Sequence, residues 1–160
     1  AALIVVVAGS WFFITNVQKA RATAQSMASQ PEISTSQIVG ERWETFSLPR
    51  LQRLVKKGIP VFVDVTAKWC LTCQTNHIVL ESDKVKQAFV TYGVVKMKAD
   101  WTMNDESITR YIRSLGRNGV PVYAVYGRDA NAQAEILPEV LTPDMVIDAL
   151  KRAHESSNGG

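Results

Sequence analysis

Cys70 and Cys73 are the only two cysteines of the chain and stand in Trp69-Cys70-Leu71-Thr72-Cys73. Thiols at this spacing suit a redox-active disulfide, a metal site or haem attachment. Haem attachment needs a histidine directly after the second cysteine, and Gln74 occupies that place. The apolar run Ile59-Pro60-Val61-Phe62-Val63-Asp64-Val65 leads into the pair and reads as a strand feeding a helix start. A first sulfur placed there meets the free N–H groups and the positive dipole end of the helix, which favours thiolate over thiol. The second, one turn in, can close a disulfide and release whatever the first captured. Cys70 is therefore expected to be the exposed attacking thiolate and Cys73 the protected resolving thiol. A purely structural bridge across two intervening residues closes a very small loop and gains little entropy.

Other residues near the pair invite chemistry. Asp64 lies inside the apolar strand, where an unpartnered carboxylate is costly and its pKa rises, which suits proton transfer to and from Cys73. Strand alternation alone leaves open whether it points inward or out at the strand end. Lys68 reads as a solvated side chain adding mildly to the positive field at Cys70. Cys70, Cys73 and His77 form a Cys-x2-Cys-x3-His set on one side of a helix, so the rival reading is a copper or zinc binding and delivery module. A closed zinc site needs a fourth ligand, and His154, the only other histidine, falls in the expected tail. A redox-inactive interaction module would not require both cysteines.

The elements that must position these residues alternate strand and helix signals, an α/β pattern. Trp43 to Phe46 reads as a short strand. Ser47 caps a helix with Pro49 in its first turn, Leu51, Leu54 and Val55 on its apolar stripe and Gly58 at its end. Ile59 to Val65 is nearly continuously apolar and fits a central strand covered on both faces. A helical stretch from Cys70 to about Phe89 breaks near Ser82-Asp83. Val94 to Ala99 reads as strand, Asn104 to Leu115 as helix, Val122 to Tyr126 and Gln133 to Leu137 as strands. A last helix follows, with Thr142 as cap and Pro143 at its first position. The expected order is β-α-β-α-β-α-β-β-α. Pro121 stands at the first residue of a strand, where any strand tolerates it.

Beyond these elements, residues 1–17 carry no charge and read as the end of a transmembrane helix, with Trp11, Phe12 and Phe13 suited to an interfacial belt. Residues 18–40 turn to Ala, Ser, Thr and Gln and read as a linker; residues 41–153 form the globular domain, and 154–160 a disordered tail. The 160 residues are 46% hydrophobic and 21% charged, a globular balance with room for one core. The net charge of +3 is spread over scattered lysines and arginines, with Lys56-Lys57 and Lys151-Arg152 as the adjacent pairs, so nucleic acid is not an expected partner.

The element order, with Trp-Cys-x-x-Cys after the second strand and Gly119-Val120-Pro121 before the fourth, resembles the thioredoxin superfamily over about residues 41–153. More narrowly, Asp64-Val65-Thr66-Ala67-Lys68-Trp69-Cys70-Leu71-Thr72-Cys73, Lys98-Ala99-Asp100-Trp101-Thr102 and Gly119-Val120-Pro121-Val122-Tyr123 are similar to the C-terminal domain of the DsbD/ScsB family of transmembrane thiol:disulfide interchange reductases. That resemblance implies a thioredoxin fold, a central mixed sheet flanked by helices, and a protein-disulfide reductase with no cofactor beyond a redox-active Cys70–Cys73 disulfide. It implies the bacterial inner membrane as location, with this domain facing the periplasm, and a link to cytochrome c biogenesis. The electron donor would be the membrane-embedded domain of the same polypeptide, which draws on cytoplasmic thioredoxin. The acceptors would be periplasmic thiol-disulfide proteins or an N-terminal domain. Pro121 takes the place of the family's cis-proline beside the sulfurs, with the backbone of Val120 offered to an extended substrate segment, and Trp69 helps shape the rim that a partner meets. His77 stands where relatives commonly carry Glu, and Lys19 and Arg21 run against the positive-inside tendency for an extracytoplasmic end.

Overall fold

Strand β2, Val61–Thr66, sits at the centre of the sheet, and its residues are buried from Val61 to Val65. Its β-branched run suits a position with partners on both edges and layers on both faces. The computed structural model describes residues 39–156. Around β2 are β1 (Trp43–Thr45), β3 (Val95–Asp100), β4 (Val122–Tyr126) and β5 (Glu135–Ile136), in the spatial order β1-β3-β2-β4-β5. β1 and β2 each run parallel to β3, whereas β4 is antiparallel to both β2 and β5. The result is the mixed sheet that the resemblance implied.

Alternation along β2 divides the molecule into two layers. Val61, Val63 and Val65 join Val95, Met97, Ala99, Val122 and Ala124 beneath α1 (Leu48–Lys56) and α4 (Glu106–Ser114). Phe62, Tyr123 and Val125 face the other way, onto α2 (Leu71–Leu80), α3 (Asp83–Thr91) and α5 (Pro143–Glu155). Phe62 and Phe89 meet edge to face at 5.3 Å in this second core, and fully burying a ring of that size contributes about 2–3 kcal/mol.

The helix ends follow local chemistry with two exceptions. Asp105 caps α4 by accepting from the N–H groups of Ser107 and Ile108, and Thr142 caps α5 by accepting from Met145 N at 3.3 Å. Ser47 stands at the N-cap of α1 but makes no side-chain cap bond. The helical stretch after the cysteines is two helices, broken at Ser82 as the sequence suggested. The Ser82 hydroxyl, however, donates back to Val79 O at 2.7 Å and so closes α2 instead of capping α3.

The last helix departs from expectation. His154 and Glu155, assigned from sequence to a terminal tail, continue α5. The Arg128 guanidinium donates from Nε to His154 O at 2.8 Å, and the imidazole Nδ1 lies 2.9 Å from Tyr92 O, so packing onto the domain holds this turn. The transmembrane segment expected at residues 1–17 and the tail at 157–160 lie outside the described residues, as does the linker except for Val39 and Gly40. These two form a turn against α3, where Gly40 adopts φ +84° and a Cβ would come within 2.4 Å of Phe89 O. Among the described residues no helix is long and apolar enough to cross a membrane.

Candidate active site

Cys70 is the N-cap residue of α2, and its sulfur accepts the N–H of Cys73 at 3.1 Å. The two sulfurs form a disulfide with Cα atoms 5.3 Å apart. The position expected from sequence is thus the one found: the first sulfur takes the role that a serine or aspartate oxygen plays at other helix starts, and a thiolate there would gain from the same N–H and dipole. Accessibility does not separate the pair in this oxidised state, since Cys70 is 7% and Cys73 5% exposed. What separates them is their surroundings.

Cys73 lines a cavity of about 280 Å³ that also contains Asp64, Thr66, Lys98 and His77, and Cys70 does not line it. Asp64 faces inward on the Phe62 side of β2, beneath α2, and is 4% exposed. Its Oδ2 lies 4.0 Å from Lys98 Nζ, and its Oδ1 has no hydrogen-bond partner among the described residues. Burial pushes the carboxyl up to about 6, against a smaller opposing pull from Lys98. A group that exchanges its proton near pH 6, in the same cavity as a thiol, is equipped to take a proton from it or return it. Tyr123, the cross-strand partner of Asp64, has its hydroxyl pushed upward by burial and then by the Asp64 charge, so it stays neutral.

The loop after β3 braces the segment before the cysteines. Asp100 accepts from both the N–H and the hydroxyl of Thr102, and this charge-assisted pair holds its carboxyl below the ordinary range. Thr102 in turn accepts the Lys68 N–H on its hydroxyl at 2.9 Å and the Trp69 indole N–H on its carbonyl at 3.2 Å. Gln74 donates from α2 to Lys68 O at 2.9 Å. Trp69 is thereby fixed at the surface, 56% exposed and tilted against Trp101 at 6.1 Å. Leu71, next to Cys70, and Met103, next to Thr102, are 78% and 88% exposed and add to the apolar surface that Trp69 begins.

On the other side, Val120 packs against the cluster of Ala67, Cys70 and Cys73, and the Val120–Pro121 peptide bond is cis. The fold thus brings Val120, at the start of this cis bond, against the cysteines, although it is remote from them in sequence. His77 is exposed and shares the cavity with Cys73, but it does not gather with both cysteines. Among the described residues no group of three or more His, Cys, Asp or Glu side chains is placed to hold a metal ion, and both sulfurs of the Cys70, Cys73, His77 set are engaged in the disulfide. His154 lies in α5, engaged with Arg128 and Tyr92.

Sequence reasoning missed Lys98 as an individual and Asn76 altogether. Lys98 had a signal, because Lys96 and Lys98 alternate with Met97 and Ala99 along β3 and so mark one face as polar. Asn76 had none. It is 1% exposed on α2, donates to the Tyr123 hydroxyl at 2.9 Å and to Glu139 O at 2.6 Å, and accepts from Leu141 N at 3.0 Å. These bonds tie the active-site helix to β4 and to the approach of α5.

Comparison with known proteins agrees with this geometry. Residues 42–127 match the family described as thioredoxin-like. No curated protein matches the sequence. Among solved structures, the reduced C-terminal domain of Neisseria meningitidis DsbD is similar at 20% identity and TM-score 0.55, over 69% of this chain and 99% of that one. A thioredoxin from Thermus thermophilus is similar at 20% identity and TM-score 0.55, over 71% of this chain and 86% of that one. The long form of thioredoxin f from spinach chloroplast is similar at 22% identity and TM-score 0.55, over 75% and 92%. At these identities the likeness shows the fold, a thioredoxin fold with a five-stranded mixed sheet.

Proposed function

Because this chain belongs to the thioredoxin-like family, matched over more than half its length, we propose that residues 41–153 are a thiol:disulfide oxidoreductase domain working through Cys70 and Cys73. The observation that carries this reading is the Cys70–Cys73 disulfide seated at the start of α2, with the Cys73 N–H aimed at the Cys70 sulfur. In the reduced protein Cys70 thiolate attacks a partner disulfide. One partner sulfur bonds to Cys70 and the other leaves as a thiolate. Cys73 then passes its proton to ionised Asp64 and attacks the Cys70 sulfur, which breaks the mixed disulfide and reforms Cys70–Cys73. The second partner sulfur leaves as a thiolate that can take the proton held on Asp64, and the first is protonated from water according to pH, so two electrons have moved from this domain to the partner.

The more specific reading is that of a periplasmic C-terminal domain of a DsbD/ScsB-type reductase in the bacterial inner membrane. The motifs Lys98-Ala99-Asp100-Trp101-Thr102 and Gly119-Val120-Pro121 support it by flanking the disulfide on its two sides. In that role a dithiol of the membrane-embedded part of the same polypeptide reduces Cys70–Cys73 again, and the acceptors are periplasmic thiol-disulfide proteins or an N-terminal domain. The apolar rim of Trp69, Leu71 and Met103 would receive the acceptor, with Val120 and Pro121 beside its reacting segment.

The test is a trapping experiment joined to a redox titration. Cys73→Ser should accumulate a long-lived mixed disulfide with an offered disulfide protein, and Cys70→Ser none. The Cys70/Cys73 potential measured against glutathione should be that of a reductant; a value near that of a strong oxidant would reverse the proposed direction of electron flow.

A further inference from the structure

The Lys98 side chain is one-third exposed, yet its ammonium stays beside a buried carboxylate instead of extending into water. Its Nζ lies 4.8 Å from the centre of the Trp43 ring as well as 4.0 Å from Asp64 Oδ2. Trp43, on β1, is itself held. Its indole N–H donates to Glu81 Oε1 at 2.9 Å, at the C-terminal end of α2, and its ring packs edge-on against Phe62 and Phe89 at 6.3 Å and 6.1 Å. The buried Lys96 ammonium lies 5.3 Å from the same ring and donates to Glu41 O, so the aromatic face is placed against two cations of β3. The Trp43 bond and the nearby cations together hold the Glu81 carboxyl below its ordinary range, which keeps it charged as the anchor.

We infer that Trp43, anchored by Glu81, is a positioning residue that holds the Lys98 ammonium against Asp64 and thereby sets the pH at which Asp64 gives up its proton. For the exchange reaction, this inference rests on the reading that Asp64 takes the proton of Cys73. The charged and titratable groups around Asp64 are Cys73 and His77 from α2, Lys98 from β3, Tyr123 from β4, and Lys68 and Asp100 from the cavity wall. Among the described residues Lys98 is the cation in ion-pair range of Asp64. A lysine has a long, flexible and strongly hydrated side chain, so without a surface to lie on its ammonium favours water over a buried carboxylate. The Trp43 ring supplies that surface.

The experiment follows the Asp64 side-chain carboxyl by carbon NMR through a pH titration of the oxidised chain. Lys98→Met should raise the Asp64 midpoint by about one pH unit, the usual size of effect for losing a neighbouring opposite charge. Trp43→Leu should raise it by about half as much, and Trp43→Phe, which keeps a ring under Lys98, should stay nearer the wild-type value. The double variant Trp43→Leu with Lys98→Met should titrate as Lys98→Met alone, because Trp43 acts through Lys98. A Trp43→Leu midpoint equal to wild type overturns the inference, and so does a double variant in which the two shifts add in full. Because Trp43 also packs in the core, the unmodified protein provides a second reading: the Lys98 Hε protons should show an upfield ring-current shift, and values typical of a solvated lysine overturn the inference. Failure of the exchange reading appears separately, as a protein that forms no mixed disulfide, and the Asp64 midpoints still decide the role of Trp43.

Discussion

Asp64 and Lys98 lie opposite each other on strands β2 and β3 at 4.0 Å between carboxylate and ammonium, with the carboxylate buried and the lysine partly in solvent. The arrangement is unequal. Desolvation outweighs the attraction, so Asp64 holds its proton up to about pH 6 although a cation is beside it. A carboxyl set this way changes state within the range where thiols and disulfides exchange, and the stability of the fold must register the same imbalance.

Asp64→Asn is therefore expected to stabilise the protein at neutral pH. The unfolded chain releases this proton near 3.8 and the folded one near 6, so between these values the folded state binds more protons. The raised pKa costs nothing below about pH 4, and the penalty grows as pH rises through 6 to a plateau on the order of 3 kcal/mol. Urea unfolding of the two proteins should show Asp64→Asn more stable by about 2–3 kcal/mol at pH 8 and equal to wild type at pH 4. The same variant should release a trapped mixed disulfide more slowly above pH 6, and a release rate unchanged from pH 6 to 8 would remove Asp64 from the exchange.

The two cysteines should differ in reactivity once reduced. With the Cys70 sulfur at the helix start and Cys73 one turn in beside Asp64, iodoacetamide at neutral pH should label Cys70 at least tenfold faster, as mass spectrometry of the peptides would show. Equal labelling of both sulfurs would count against the assignment of Cys70 as the attacking thiol.

His77 shares the cavity with Cys73 and Asp64, so replacing it with Glu brings a negative charge to that space. His77→Glu should raise the pKa of Cys70, read from thiolate absorbance, by a few tenths of a pH unit, the size a partly screened charge can exert. His77→Ala should leave it nearly unchanged at pH 8. A Cys70 pKa indifferent to both substitutions would show that His77 acts on solvent alone.

Asn76 should prove the most sensitive polar residue of α2. Asn76→Leu keeps the volume but strands Glu139 O, Leu141 N and the Tyr123 hydroxyl, for a loss of about 3 kcal/mol in denaturant unfolding. Tyr123→Phe removes one of these bonds and should cost about 1 kcal/mol. Equal small losses in both would mean that the hub contributes little beyond its packing.

The parts of this protein that sequence alone determined are those governed by near neighbours. The apolar run through Val65, the two cysteines directly after it, the break at Ser82 and the cap at Thr142 are properties of a few consecutive residues. The Cys70 sulfur therefore lands on the N–H of Cys73 once the helix that begins at Leu71 has formed. The tertiary structure decided what depends on groups distant along the chain. Whether Asp64 faced inward turned on which side of β2 the helix α2 would cover, a matter of packing that alternation does not reveal. Placing Lys98 beside it, and Trp43 beside Lys98, required β1 and β2 each to pair with β3 in register, with Trp43 level with Lys96 and Asp64 level with Lys98. The bonds of Asn76 span from 47 to 65 residues of sequence, and an isolated asparagine carries no mark of partners so far away. His154 and Glu155 read as tail because their own sequence has no apolar stripe to continue; they are helical because Arg128 and Tyr92, brought near by the fold, hold the last turn.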